Sequence, residues 1–145
     1  MRISKQSLVY VAVQLGCIAY LMLTGPWLVA WPWIWFEIAG VYLGAWTLWT
    51  FRLGNLRAAP EPSHNAKLVT RGPYRFIRHP MYAAVLLITL ACVSNRLTPL
   101  RGVVWLILAA DLIAKLRYEE GLLAKRFPEY AAYQRRTKRL VPFLF

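Results

Sequence analysis

The sequence has few cysteines and histidines and no glycine-rich loop, and these shortages exclude several kinds of protein. It contains two cysteines and two histidines, and neither His64 nor His79 has a nearby cysteine partner, so no metal-ligand spacing is present. Cys17 and Cys92 lie in apolar runs, where a free cysteine usually behaves as a small buried hydrophobe. The 145 residues carry no glycine-rich dinucleotide fingerprint and leave no room for a separate soluble nucleotide-binding domain.

Charge is almost absent from the first third of the chain. Residues 8–51 contain one charged side chain, Glu37, and the whole chain is 59% hydrophobic, too apolar for an ordinary soluble domain. Since a helix of about 20 residues crosses a bilayer, we predict an all-α integral membrane bundle of about four transmembrane helices, forming a single domain. The predicted spans are 8–24, 33–53, 80–95 and 100–118, with a cytoplasmic loop over 54–79 and a C-terminal amphipathic cytoplasmic helix over about 119–137.

Basic residues outnumber acidic ones, and their distribution predicts the orientation of the chain. The sequence has 18 lysines and arginines, six acidic residues and a net charge of +12. Arg96 and Arg101 lie near the junction of the third and fourth spans, and the other basic residues collect on the opposite side. By the positive-inside rule, both termini, the central loop and the site are predicted to face the cytoplasm. Anionic lipids, and not nucleic acid, are the expected partners of this charge, and the oligomeric state stays open.

The stretch LVTRGPYRFIRHPMYAA, residues 68–84, concentrates polar groups at the start of the third span. Pro80 favours the first position of a helix, where its missing N–H is not needed. His79 would then lie at the N-cap, and the N–H groups and dipole of that helix end attract an anionic group such as a carboxylate. We interpret His79 as a capping or positioning residue rather than a proton shuttle. The arginines of this stretch are candidate ligands of phospholipid headgroups: Arg71, Arg75 and Arg78.

Three ionisable residues recur at helical spacing near the end of the fourth span. Asp111, Lys115 and Glu119 are four residues apart and would share one stripe of a helix. An ionisable residue inside a span is a functional candidate by default, and Lys115 is the natural partner of Asp111. A purely structural ion pair explains the same pattern. The adjacent carboxylates of Glu119 and Glu120 indicate either a solvated face or a site for a cationic or hydroxyl-bearing ligand.

Two motifs of the chain are informative together: LVTRGPYRFIRHPMY and, further along the chain, EEGLLAKRFPEYAAY. Together they resemble the isoprenylcysteine carboxyl methyltransferase family. That family belongs to a wider group of membrane methyltransferases that includes phospholipid N-methyltransferases. The resemblance covers roughly residues 64–143, and it is specific because both motifs lie, in this order, at the predicted cytoplasmic ends of adjacent spans.

The resemblance implies S-adenosylmethionine as cofactor and methyl donor, and a lipophilic or prenylated acceptor. No metal is expected, because the sequence has no metal-ligand spacing. The start of the third span would offer N–H groups to the carboxylate of the cofactor, and glutamates would accept from its ammonium group or ribose hydroxyls. We add Arg78 to the implied residues because it adjoins His79. The candidate cofactor-binding residues are Val69, Gly72, Tyr74, Arg78, His79, Pro80, Tyr82, Glu119 and Glu120.

The donor implied by the resemblance is already activated, so the protein would mainly position the reactants and exclude water. A carboxylate acceptor would need a cation to orient it, and Lys115 or Arg117 is expected to serve. An amine or thiol acceptor would need a proton acceptor, for which Glu120, or Glu119 beside it, is the candidate. Two residues depart from the pattern. Lys115 stands for the usual arginine and lacks its two-pronged grip, and Ala84 stands where relatives often have glycine.

The resemblance and helical geometry disagree about one pair. The resemblance pairs Lys115 with Glu120 in the reaction centre. On a regular helix these residues lie about 140° apart, whereas Lys115 and Glu119 share a face. Either the helix breaks near Gly121, or the paired glutamate is Glu119.

Three alternative functions stay open from the sequence. The chain could methylate a phospholipid, a small thiol or an amine on the same scaffold. It could be a reductase of the sterol type with a nicotinamide cofactor, although such proteins are generally longer. It could also be a non-catalytic membrane protein whose basic loop binds anionic lipid. Binding of S-adenosylmethionine, of a nicotinamide cofactor or of neither separates these classes.

Overall fold

The computed structural model describes residues 4–26, 28–51 and 68–142. The described residues form an all-α fold without a named strand. Its helices are α1 Lys5–Thr24, α2 Ile34–Phe51, α3 Pro80–Asn95, α4 Pro99–Arg126 and α5 Tyr130–Arg136, with a 3-10 helix at Gly72–Arg75. Residues 54–67, the larger part of the predicted cytoplasmic loop, lie outside the described residues, and so does His64.

Local signals in the sequence set several helix ends. Ser4 caps α1 by accepting a hydrogen bond at 3.1 Å from the backbone N–H of Ser7, and Thr98 caps α4. Pro80 opens α3 and Pro99 opens α4, both at positions where a proline loses no helical hydrogen bond. The predicted boundaries of the first three helices therefore lie close to the observed ones.

The C-terminal region differs from the single helix expected over 119–137. α4 continues without a break through Glu119, Glu120 and Gly121 as far as Arg126. Phe127 then adopts an extended conformation, and the seven-residue α5 follows as a separate helix. Pro128 accounts for the interruption, because proline disfavours helical backbone in the residue before it. The break expected near Gly121 is absent, and the helix ends one and a half turns later.

α3 lies between the other helices. It packs extensively along α2 and also contacts α1 and α4, while α1 packs mainly on α4. Gly40 of α2 allows the close approach, since a Cβ there would lie 2.7 Å from Ile88 and 3.0 Å from the carbonyl oxygen of Ala84. A Cβ at Gly44 would make an ordinary contact of 3.6 Å with Ala84. The small residues of span 2 therefore serve a contact inside the bundle.

A buried arginine joins the C-terminal ends of α1 and α3. Arg101 is 2% exposed. Its guanidinium donates to the carbonyl oxygen of Leu21 at 3.1 Å, to the hydroxyl of Thr24 at 2.6 Å and to the carbonyl oxygen of Cys92 at 2.9 Å. These groups belong to the last turns of α1 and α3, where the helix dipoles favour a cation. A Cβ at Gly25 would lie 2.4 Å from this guanidinium and 2.7 Å from Sγ of Cys92, so any larger residue there would displace these side chains.

Large apolar side chains cover much of the outer surface of the helices. Trp49 is 87% exposed and Leu23 is 78% exposed, and similar residues continue along α4. By length and composition, α1 is the one helix among the described residues that is long and apolar enough to cross a membrane. α3 is apolar but shorter. The four-span arrangement stays a prediction.

Candidate active site

The motif segment 68–79 leads into α3 through a tight turn. Gly72 has a φ of 61°, a left-handed conformation that favours glycine. A Cβ at Gly72 would also lie 2.3 Å from the hydroxyl oxygen of Thr50, so α2 and the segment meet closely here. The 3-10 helix follows, and His79 is the N-cap residue of α3, as expected from Pro80. The turn therefore delivers His79 to the start of the helix.

The C-terminal segment pairs with the motif segment. The backbone N–H of Arg78 donates to the carbonyl oxygen of Lys138 at 2.7 Å, and that of His79 donates to the carbonyl oxygen of Arg139 at 3.0 Å. The N–H of Lys138 donates to the carbonyl oxygen of Phe76 at 3.2 Å. These bonds form an isolated parallel bridge. They bring the chain after α5 against the start of α3.

Glu120 is the centre of a buried charge cluster. Its side chain is 6% exposed. Oε1 accepts from Nε of Arg78 at 2.7 Å, and Oε2 accepts from Nε of Arg139 at 3.0 Å. Arg78 also donates to the carbonyl oxygens of Gln134 and Thr137. Both oxygens of Glu120 are thus engaged, and the cluster ties α4 to α3 and to the C-terminal segment.

The ionised form of Glu120 is strongly favoured. Burial by itself would raise the pKa of its carboxyl group. Interactions with His79, Arg78 and Arg139 outweigh the burial and lower the pKa from 4.5 to about 2. Glu120 therefore stays ionised at any physiological pH.

Glu119 lies on a neighbouring face of α4 and meets a stacked pair of rings. Its Oε2 accepts from the hydroxyl of Tyr82 at 2.9 Å and lies 3.7 Å from Nδ1 of His79. The rings of His79 and Tyr82 are nearly parallel, with centroids 5.3 Å apart. The side chain of Glu119 is 27% exposed, and its Oε1 has no hydrogen-bond partner among the described residues. Glu119 therefore retains an acceptor that a ligand could use.

Lys115 is turned towards α1 rather than towards Asp111. Nζ donates to Oε1 of Gln14 at 2.5 Å and lies 5.3 Å from the centre of the Tyr82 ring. Oδ2 of Asp111 is buried without a hydrogen-bond partner among the described residues. Because α4 is unbroken, Lys115 shares its face with Glu119, while Glu120 points to the cluster described above. On α4, therefore, Glu119 and not Glu120 lies on the same face as Lys115.

Two buried polar atoms near this cluster lack protein partners in the described part of the chain. They are Nε2 of His79, which lies 3.5 Å from Oε1 of Glu120, and the hydroxyl of Tyr130, a residue that is 1% exposed. Burial, and then the charge of Glu120, raise the pKa of Tyr130, so its hydroxyl stays protonated. Since buried polar groups are normally hydrogen-bonded, these atoms suit a ligand with several polar groups.

An apolar cavity of about 650 Å³ adjoins the polar cluster. Its walls come from α2, α3, α4, the 3-10 helix and the C-terminal segment, and every lining residue is apolar. Ile77 and Leu140 line the cavity, and their neighbours Arg78 and Arg139 hold Glu120. A polar site and an apolar space are therefore next to each other.

Six of the predicted site residues lie close together in the structure, and the others lie around or away from them. The structure brings together the following candidates: Arg78, His79, Tyr82, Lys115, Glu119 and Glu120. Pro80 begins α3 beside them, Gly72 forms the preceding turn, and the carbonyl oxygen of Tyr74 accepts from Tyr133 at 2.7 Å. Val69 lies at the start of the motif segment, and Arg117 is exposed on α4, away from Lys115. Their roles stay predictions.

Sequence reasoning missed three residues of this region. Tyr130 falls within the predicted surface helix over about 119–137, and Arg139 lies just after it. The pattern of basic and aromatic residues there gave no sign that Tyr130 is buried or that Arg139 contacts Glu120. Gln14 had a detectable signal, because it is the one amide side chain in an otherwise apolar first span. A polar residue inside a predicted span is a functional candidate.

The profile of the isoprenylcysteine carboxyl methyltransferase family matches residues 33–125, more than half of the chain. The chain is also similar to the cobalt-zinc-cadmium resistance protein of Cupriavidus metallidurans, with 40% identity over 82 residues. The nickel-cobalt-cadmium resistance protein of Alcaligenes xylosoxydans xylosoxydans is 37% identical over 82 residues. Each match covers 55% of this chain and 38% of the relative. Within the described residues, no group of three or more histidine, cysteine or acidic side chains could hold a metal ion.

Proposed function

Because the chain belongs to the isoprenylcysteine carboxyl methyltransferase family, we propose that it is a multi-pass membrane methyltransferase that uses S-adenosylmethionine. The acceptor is lipophilic, and a prenylated cysteine carboxylate is the first compound to test. The observation that carries this proposal is a large apolar cavity next to the polar residues. Ile77, Ala83 and Leu140 line the cavity, and Tyr82, which donates to Glu119, packs against the hydrophobic cluster that these residues form. An apolar space beside buried polar groups is typical of a small-molecule site.

The residues present fit S-adenosylmethionine. The start of α3 attracts a carboxylate through its dipole. The free oxygen of Glu119 is an acceptor for an ammonium group or ribose hydroxyls, and the Tyr130 hydroxyl is a protonated donor. When bound, the cofactor supplies a methyl group on an activated sulfonium centre.

The protein residues have three tasks in this proposal. His79 and Glu119 hold the cofactor, since both are fixed by contacts with Tyr82. Lys115 provides the buried positive charge that orients a negatively charged acceptor oxygen. Glu120 positions the site by holding Arg78 and Arg139, with both of its oxygens engaged. The apolar cavity takes the hydrocarbon part of the acceptor and excludes water.

The membrane location is part of the same proposal. The exposed apolar side chains of α1, α2 and α4 would face lipid. Exposed basic residues of the motif and C-terminal segments would face anionic headgroups on the cytoplasmic side: Arg71, Arg75, Lys125, Arg126, Arg135, Arg136 and Lys138. A lipophilic acceptor would then enter from the bilayer, and the water-soluble cofactor from the cytoplasm.

Calorimetric binding of S-adenosylmethionine to the full chain in detergent tests the proposal. We expect wild type to bind, and His79→Ala and Glu119→Gln each to weaken binding by about tenfold or more, because each removes a charged or buried polar contact. Glu129→Gln, on an exposed acid outside the cluster, is the matched control and should bind as wild type does. A folded wild-type protein that binds no S-adenosylmethionine would exclude the methyltransferase, and lipid binding by the basic residues would then be the better explanation.

A further inference from the structure

Lys115 is an ammonium group buried in the helix bundle with a neutral partner. The residue is 1% exposed, and Nζ donates to the side-chain oxygen of Gln14 on α1 at 2.5 Å. Among the described residues, no carboxylate lies within 4 Å of Nζ. Glu119 and Asp111 act on Lys115 only from a greater distance. The positive charge of Lys115 is therefore poorly compensated by the protein.

The hydrogen bond to Gln14 fixes which way the amide faces. A lysine ammonium has three N–H donors and no acceptor, so the carbonyl oxygen of Gln14 must face Nζ. The amide nitrogen of Gln14 is then directed elsewhere and offers two further donors. Together the two side chains present only donors, one of them charged. A cluster of this kind is complementary to an anionic oxygen.

The same hydrogen bond restricts a flexible side chain. Lysine has a long stem with several rotatable bonds, and it presents its charge as a point without a preferred direction. The bond to Gln14 and the contact with the Tyr82 ring, 5.3 Å from Nζ, hold the ammonium group from two sides. α1 reaches the site through this contact, which joins residues 101 positions apart in the sequence.

We propose that Gln14 is a positioning residue, which holds the ammonium group of Lys115 so that it can orient a negatively charged oxygen of the methyl acceptor. The inference rests on the proposed function, since it concerns the acceptor side of that site. It adds α1 to a site that the sequence motifs place on α3 and α4 alone. Gln14 acts through Lys115, so its effect should vanish when Lys115 is absent.

A double-mutant cycle tests the inference with binding rather than turnover. The full chain in detergent is loaded with S-adenosylhomocysteine, and the affinity for N-acetyl-S-farnesylcysteine is compared with that for its neutral carboxamide. We expect wild type to prefer the carboxylate by about tenfold or more. Gln14→Met and Lys115→Met should each remove most of this preference, and the double variant should lose no more than either. Gln6→Met, an exposed glutamine on the same helix, should retain it.

Every outcome of this experiment has a consequence. A wild-type protein without preference for the carboxylate, a Gln14→Met variant that retains the preference, or losses that add in the double variant would each overturn the inference. Failure of wild type to bind S-adenosylhomocysteine would instead remove the proposed function. If Gln14→Met does not fold, Gln14→Glu replaces it, because its carboxylate still accepts from Lys115 but repels the probe, and retention of the preference there also overturns the inference.

Discussion

Replacing Glu120 by glutamine tests the buried electrostatic contacts at the start of α3. Glu120 is buried, and it accepts from Arg78 at 2.7 Å and from Arg139 at 3.0 Å. Glu120→Gln keeps the size of the side chain, removes its charge and places an amide donor opposite guanidinium donors. Arg78 would keep the carbonyl oxygens of Gln134 and Thr137 as partners but lose its counter-charge. The buried cation would then be only partly compensated.

The lowered pKa of Glu120 gives the size of its contribution to stability and the direction of its pH dependence. Burial would raise the pKa of Glu120, but contacts with His79 and the two arginines lower it from 4.5 to about 2 in the folded protein. A difference of this size corresponds to about 3 kcal/mol of stability. Because the folded pKa is depressed, the contribution is complete above pH 4.5 and is lost as the pH falls towards 2. Glu120→Gln should therefore lower the free energy of unfolding by about 3 kcal/mol at neutral pH.

Denaturant unfolding of the detergent-solubilised chain, followed by tryptophan fluorescence between pH 2 and 7, measures this effect. Wild type should lose stability between pH 4.5 and 2, and Glu120→Gln should lose about 3 kcal/mol less over the same range. Glu129→Gln, at an exposed position, should follow wild type. A Glu120→Gln variant as stable as wild type at pH 7, with an unchanged pH dependence, would refute the electrostatic reasoning.

Two further predictions concern the packing of α2 on α3 and the buried arginine at the C-terminal ends of α1 and α3. Gly40→Ala should destabilise the fold by about 1–3 kcal/mol, because the new Cβ would lie 2.7 Å from Ile88. Gly44→Ala should be tolerated at 3.6 Å, and equal stability of the two variants in thermal unfolding would contradict the packing argument. Arg101→Met should cost roughly 2–3 kcal/mol by leaving buried carbonyl oxygens unsatisfied, whereas Arg96→Met, on an exposed side chain, should have little effect in the same assay. A small loss for Arg101→Met would show that the helix ends hold together without it.

Local patterns in the sequence predicted the helices well because helix formation depends on neighbours in the chain. Pro80 and Pro99 mark helix starts, and the observed α3 has the predicted bounds. The spacing of Lys115 and Glu119 predicted a shared face, since residues four apart lie on one side of any regular helix. The unbroken α4 therefore favours Glu119 in the conflict between the resemblance and helical geometry.

The family was also readable from the sequence. The motif around His79 is followed along the chain by the glutamate pair, and this order is characteristic of the family. The family profile confirms the assignment. The motifs could not reveal what each residue contacts. Glu119 and Glu120 are adjacent in the chain, yet one meets Tyr82 and the other meets two arginines. Successive helical residues point in directions about 100° apart, so their surroundings depend on which helices pack on either side.

The sequence by itself therefore determined where α3 and α4 begin, which residues share a helix face and which family the chain belongs to. Tertiary structure alone decided that α1 packs on α4 and that Gln14 meets Lys115. It also decided that the chain after α5 returns to α3, so that Arg139 reaches Glu120. Such contacts join residues far apart in sequence, and they are set by how apolar faces and helix ends fit together. No local period in the sequence encodes that fit.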